Sequence, residues 1–325
     1  MASPANPQGI VSLGWFGDWE QRRAAHEASG DPARVVRHDG VKVLVSDGVS
    51  LRHATFSRSL SLAVGDWVLI ENETVTGALE RSSELVREST EGGPQVIAAN
   101  VDLVLVVFGV DRPLRRAKVL RFAAFAWDIG AKPVVVLSKT DLRTDVDSLV
   151  SRVRTWVGDV DIVPVSVTNG SGIETILELL AGRTGTLIGE SGAGKSSLVN
   201  AVMEDEVAWI GDVRDRDAKG RHTTTHRELH LLPGGGMIID NPGVRALGLW
   251  AEGEGVEQLF SDIEQVGTSC RFRDCAHREE PGCAVRAAIE AGDLDTHRWE
   301  SYTRFIDEQE GASRRAVLKQ RRSRS

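Results

Sequence analysis

Residues 189–197, GESGAGKSS, carry the densest chemistry in the chain. Gly189, four intervening residues and then Gly194-Lys195-Ser196 complete the G-x-x-x-x-G-K-[ST] pattern, between an apolar strand-like run and a helical one. The glycines let the backbone N–H groups of Glu190, Ser191, Gly192, Ala193 and Gly194 turn inward as an anion nest at a helix N-terminus. Lys195 then reaches the β- and γ-phosphates of a nucleotide, and the Ser196 hydroxyl, followed by Ser197, ligates Mg2+. A glycine-rich turn that matches by accident is the bland alternative, and the strand–loop–helix context speaks against it.

A second element lies 44 residues beyond Ser196, where MIIDNPG puts Asp240 and Gly243 at the end of an apolar strand. The carboxylate can hold Mg2+ through water, and the Gly243 N–H can meet the γ-phosphate. Between the two motifs runs KGRHTTTHREL, in which Thr223 or Thr224 would complete the Mg2+ shell. D-x-P-G alone also reads as an ordinary turn; its meaning comes from the motifs around it.

Base choice is read from PVVVLSKTD. Two hydrogen bonds from guanine's N1–H and exocyclic amine suit the Asp141 carboxylate, and adenine offers no such pair. Lys139 and Thr140 fit the usual Asn-Lys-x-Asp element, whereas Ser138 stands where Asn is expected. VPVSVTNGSGI would bring the Ser166–Val167 backbone to guanine O6. SKTD alone reads equally as a helix N-cap; two such elements on successive strands of a P-loop sheet point to guanine. The motifs run SKTD, SV, P-loop, TTT, DNPG, whereas ordinarily the P-loop comes first and the guanine elements last, so a circular permutation is expected. The chain then passes from the γ-phosphate-sensing segment straight into the C-terminal region.

The position after the DNPG glycine is Val244, which cannot position an attacking water as a Gln would. Slow intrinsic hydrolysis follows, and His222 becomes the candidate that activates water, with Lys195 and Thr224 in the same catalytic set. Arg221 is an alternative source of charge, and a loop-ordering role for both is the plain reading. Farther on, Cys270, Cys275, His277 and Cys283 gather every cysteine of the chain with one histidine. Three thiolates and an imidazole make a closed tetrahedral Zn2+ site, one ion per chain, with a structural role. Buried free thiols or a redox sensor are the alternatives.

These residues need elements to position them. Continuous apolar runs such as VDLVLVVFGV, alternating with helix-like stretches (about 145–157 and 173–181), imply an α/β fold. The sheet is doubly wound, mostly parallel and covered on both faces, over residues 99–250. Before it, residues 34–90 alternate short β-rich runs with Asp-Gly turns, five or six strands that fit an OB-fold, an SH3-like barrel or a small sandwich. Residues 91–98 read as a linker, and 1–33 as a segment with one short helix. Residues 251–325 are helical and polar, ending in a tail with Arg314, Arg315, Lys319, Arg321, Arg322 and Arg324 and no acid. That tail is either a contact to nucleic-acid phosphates or a solvated end.

The 325 residues carry 39 basic and 47 acidic side chains, which counts against a generally nucleic-acid-coating surface. No run approaches the roughly 18 apolar residues that span a bilayer, and MASPANPQGIVSLGW lacks a signal-peptide pattern, so a cytoplasmic protein with no membrane partner is expected.

The motif order, with GRHTTT, DNPG and CRFRDCAHREEPGCAV, closely resembles the circularly permuted ribosome small-subunit-dependent GTPase A family, over nearly the whole chain. The resemblance implies an OB-fold, a GTPase domain and a zinc domain. It also implies GTP hydrolysis stimulated by the small (30S) ribosomal subunit, and late maturation of that subunit through rRNA contacts by a monomer. It assigns the nucleotide roles to 189–197, Thr223, Thr224, 240–243 and 138–141, and the zinc roles to the Cys/His cluster. Ser138 departs from the family's Asn, a change that bears on nucleotide affinity more than on base choice. An RNA-binding module with a degenerate GTP site is the alternative of a different class. A small-metabolite kinase would need an acceptor pocket and lid that nothing in the sequence indicates.

Overall fold

The computed structural model describes residues 7–88, 94–203, 227–241 and 254–322. Two short helices, α1 (Pro7–Val11) and α2 (Trp19–Ala25), precede the first strand where the sequence suggested one. They bring Trp15 and Trp19 against Trp67, with ring centroids 4.8 and 5.9 Å away, so the N-terminal segment is packed onto the next domain.

Strands β1 (Asp31–His38), β2 (Lys42–Ser46), β3 (Leu51–Thr55), β4 (Trp67–Glu71) and β5 (Thr74–Ala78) form a barrel in the order β1-β2-β3-β5-β4. It closes where Asp31–Arg34 pair antiparallel with Trp67–Ile70. This five-stranded closure resolves the barrel alternatives in favour of an OB-like fold. Inward-facing Ala33, Val35, Val43, Val45, Val68 and Ile70 fill it, and the β4–β5 turn places Asn72 and Glu73 both at positive φ, as a two-residue hairpin requires.

β6 (Glu84–Glu88) does not join the barrel; it pairs antiparallel with β7 (Pro94–Ala99). The linker expected at 91–98 is therefore largely a strand, because PQVIAA has a buried apolar face (Ile97 is 1% exposed) that a linker would leave in water.

The α/β unit comprises β8 (Leu103–Gly109), α3 (Arg116–Asp128), β9 (Lys132–Ser138), α4 (Val146–Val157), β10 (Asp161–Val165), α5 (Ile173–Leu180), β11 (Thr184–Gly189), α6 (Lys195–Met203), β12 (Glu228–Leu231) and β13 (Met237–Asp240). The order is β10-β9-β8-β11-β13-β12, parallel except for the antiparallel β12. On β8, Val104, Val106 and Phe108 face one apolar layer, and Leu103, Leu105 and Val107 face the other, which is why that strand reads as an unbroken apolar run.

The barrel joins this sheet through a single β1–β12 bridge, Arg37 to Glu228. The buried Arg34 secures the junction. Its guanidinium donates to the carbonyls of Leu13, Gly65 and Asn100, contacts Met237 Sδ and lies 5.1 Å over the Trp67 ring. Burial lowers its pKa to about 10, so it stays charged at neutral pH.

The C-terminal part consists of α7 (Glu254–Leu259), α8 (Ser261–Gly267), α9 (Ala284–Ala291) and α10 (Thr296–Arg322), helical as expected. Arg298 of α10 fastens it to the α/β unit. It pairs with Asp262 at 2.9 Å and donates to the carbonyls of Leu259 and of Trp156 on α4. No helix among the described residues is long and apolar enough to cross a membrane.

Candidate nucleotide site and metal centre

Parallel pairing brings the C-terminal ends of β13, β11, β8, β9 and β10 to one edge, outside which ligands bind in open α/β sheets. Gly189 ends β11 with φ +145°, and a Cβ there would lie 2.2 Å from the Val107 carbonyl oxygen. Gly192 (φ +75°) and Gly194 (φ +90°) also occupy backbone regions that favour glycine, and the loop runs directly into α6 at Lys195. Ser191, Ser196 and Ser197 are exposed, and Ala193 is buried beneath the crest. The Lys195 ammonium folds back onto the carbonyls of Gly189 (2.9 Å) and Glu190 (2.8 Å). Burial lowers its pKa, and Glu190 only partly offsets this. A half-buried, positively charged amine held by neutral carbonyls is a site that an anion would stabilise.

The guanine element follows β9. Lys139 adopts a left-handed conformation (φ +63°), a single 3₁₀ turn covers Thr140–Leu142, and the Lys139 ammonium reaches Asp111 at 2.9 Å. That contact holds the Asp111 carboxyl below its ordinary pKa. Asp141 is exposed, and its Oδ1 accepts a 2.6 Å hydrogen bond from the buried Ser166 hydroxyl. The two elements read as guanine contacts thus touch, as the Ser138–Val165 register of β9 and β10 requires. Val167 is exposed beside them. Ser138 is not a gap where Asn is missing. Its hydroxyl contacts the Ala193 carbonyl of the P-loop and lies 3.2 Å from that of Phe108, so it ties the guanine loop to the phosphate loop.

Asp240 ends β13, with its pKa raised by burial. Next to it Asn241 donates to Thr186 Oγ1 at 2.8 Å, while its buried Oδ1 meets no donor among the described residues. A half-buried carboxylate at the end of this strand suits the water-shelled Mg2+ that accompanies a nucleotide. His222, Thr223, Thr224 and Gly243, with Arg221 and Val244, lie outside the described residues.

Sequence reasoning missed Asp111, Arg112 and Lys118. Lys118 pairs with Glu190 of the P-loop, and Arg112 approaches the Ser191 carbonyl. The cluster of bases in DRPLRRAK, just after an apolar strand, was the available signal.

The ligand atoms of Cys270, Cys275, His277 and Cys283 all lie within 4.8 Å of one another. Tetrahedral zinc with ~2.3 Å bonds to sulfur needs its sulfurs roughly 3.8 Å apart. Cys270 Sγ and Cys283 Sγ are 3.9 Å apart, and His277 Nδ1 is 3.4 and 3.6 Å from them, so the set fits a metal. The Ala284 N–H donates to Cys270 Sγ (3.3 Å), and Trp299 Nε1 holds the His277 carbonyl (3.2 Å), which fixes the loop against α10.

The family model described as RsgA GTPase matches residues 78–250. The chain is 42% identical to the small ribosomal subunit biogenesis GTPase RsgA of Streptomyces avermitilis, over 92% of this chain and 85% of that relative. It is 37% identical to RsgA 2 of Vibrio parahaemolyticus, over 100% of this chain and 91% of that relative. The crystal structure of YjeQ from Thermotoga maritima superposes with a TM-score of 0.64 at 28% identity, covering 85% of this chain and 97% of that one. YloQ, a circularly permuted GTPase, superposes with a TM-score of 0.64 at 26% identity, covering 88% and 96%. A P-loop placed after its guanine element, a closed barrel before it and a Cys3His cluster behind it agree with these likenesses: the chain belongs to the RsgA GTPase family.

Proposed function

We propose that this protein is a GTPase whose turnover is stimulated by the small ribosomal subunit, and that it acts late in the assembly of that subunit through rRNA contacts. The observation that carries this reading is the meeting of P-loop, guanine element and β13 carboxylate on one sheet edge, in permuted order. Asp141, oriented by Ser166, reads the guanine edge, with Lys139, Thr140 and the Ser166–Val167 backbone beside it. The 189–194 backbone and Lys195 hold the β- and γ-phosphates, and Ser196, Asp240 and Thr223 or Thr224 face the Mg2+ that neutralises phosphate charge. Gly243 reports the γ-phosphate, and His222 accepts a hydrogen bond from the attacking water. Cys270, Cys275, His277 and Cys283 hold one structural zinc. The barrel (34–90) and the zinc-bearing region with its basic tail (251–325) flank the GTPase unit (99–250) as ribosome-facing surfaces of a cytoplasmic monomer, after the N-terminal segment (1–33).

GTP turnover measured with purified small subunits, with large subunits and alone tests the proposal. Stimulation by small subunits only is expected; no turnover under any condition would favour the degenerate-site reading. His222→Ala is expected to keep GTP and ribosome binding while losing most stimulated turnover. Full stimulated turnover in that variant removes His222 from the mechanism.

A further inference from the structure

The loop after β8 sends Arg112 over the crest of the P-loop. Its Nη1 lies 3.5 Å from the Ser191 carbonyl oxygen, and a Cβ built on Gly192 would lie 3.2 Å from Nη2, so the guanidinium fills the space that glycine leaves open. This arginine belongs to none of the nucleotide motifs, and it is loosely held. Its one ion pair among the described residues is to Asp111 at 3.7 Å, while Asp111 makes its short contact, 2.9 Å, with Lys139. The other nearby carboxylate, Glu190, is taken by Lys118. The side chain is 44% exposed, so little packing opposes its movement. A cation that is already above the phosphate loop, and whose counter-ion Asp111 is held more closely by Lys139, is placed to meet a phosphate anion.

We propose that Arg112 is a catalytic arginine supplied in cis, which moves from the Ser191 carbonyl onto the phosphates of GTP and stabilises the charge that develops on the leaving GDP. In the step, water adds to the γ-phosphorus and the bond from that phosphorus to the β–γ bridging oxygen breaks. The electron pair departs on the β-phosphate of GDP. One water proton stays on orthophosphate, and the other passes through phosphate oxygens to solvent. Charge on the bridging and β-oxygens rises along this path, and a guanidinium over Gly192 lowers its cost. This role complements whatever positions the water, a task that Val244 leaves to another group. Arg112 lies three residues beyond the end of β8, whose register with β11 pairs Val107 with Gly189.

The test compares wild type with Arg112→Ala and Arg112→Lys by single-turnover GTP hydrolysis, with and without small subunits, and by GDP titration. Binding of GDP with aluminium fluoride, a mimic of the transferring phosphoryl group, is the third readout. The proposal expects kcat to fall about 100-fold in the alanine variant, GDP affinity to change less than three-fold, and the fluoride complex to be lost. Lysine should restore little, since it lacks the planar fork. Unchanged kcat overturns the proposal. So does a parallel loss of GDP and GTP affinity with normal turnover at saturation, because that marks Arg112 as a brace for the loop. If the alanine variant does not fold, Arg112→Gln carries the same comparison.

Discussion

The Ser138 hydroxyl sits between the carbonyls of Ala193 and Phe108, 3% exposed, and a Cβ on Gly194 would lie 3.5 Å from it. Because Ser138 stands where the guanine element expects Asn, a change that bears on nucleotide affinity, Ser138→Asn would on sequence grounds tighten binding by restoring amide hydrogen bonds. The geometry reverses that expectation, because the bond to the P-loop is already made and the space around it is filled. Ser138→Ala should therefore weaken GTP and GDP binding by about 1 kcal/mol, roughly five-fold in Kd by titration with a fluorescent nucleotide. Ser138→Asn should give no gain. A tighter Asn variant would show that the hydroxyl is a poor substitute. At Asp141 the chemistry concerns the base itself. Asp141→Asn should lose GTP affinity and gain affinity for xanthosine triphosphate, since the amide donates where the carboxylate accepted. Equal GTP affinity in a competition assay would return SKTD to a simple cap.

At the scale of elements, the passage from β13 to α7 matters most. β13 ends at Asp240, on the sheet edge that carries the P-loop, and the chain docks again on α3, where the Gly255 N–H donates to Asp128 Oδ1 at 2.6 Å. A Cβ on Gly255 would lie 2.2 Å from the Ala124 carbonyl oxygen and 2.5 Å from Asp128 Oδ1. Gly255→Ala should thus push α7 off α3 and cost about 2 kcal/mol in a denaturant melt, while nucleotide affinity stays near wild type. If α7 carries the phosphate state onward, the ratio of ribosome-stimulated to basal turnover should fall with it. A variant with lowered stability and an unchanged ratio would confine α7 to a structural role.

For the whole molecule, two buried arginines and one cysteine loop decide how the parts hold together. Arg34 joins the N-terminal segment, the barrel, the turn at Asn100 and β13, and Arg298 joins α10 to α4, α7 and α8. The cysteine loop is polar and has little apolar core of its own, so a metal held by its Cys3His group would supply folding energy there. Purified protein should contain close to one zinc per chain by elemental analysis. Cys275→Ser should lose that zinc and loosen the 268–283 loop and α10, while GDP affinity remains. Stoichiometric iron, or no metal with three titratable thiols, would remove the zinc assignment.

Motif chemistry and its order were legible in the sequence, because phosphate loops, guanine readers and metal knuckles depend on residue types at short, fixed spacings. The doubly wound sheet was legible too, since a strand covered on both faces must be apolar throughout, as β8 is. The barrel's identity was not, because closure depends on Asp31 meeting Ile70 across the fold, a pairing that local alternation does not encode. The same holds for β7, mistaken for a linker until its partner β6 is seen, and for Ser138, Arg112 and Lys118. Their partners in the P-loop lie more than fifty residues away in sequence. Only the tertiary structure sets which side chain lies against which backbone at that separation, and through those contacts it decides how the phosphate loop is held.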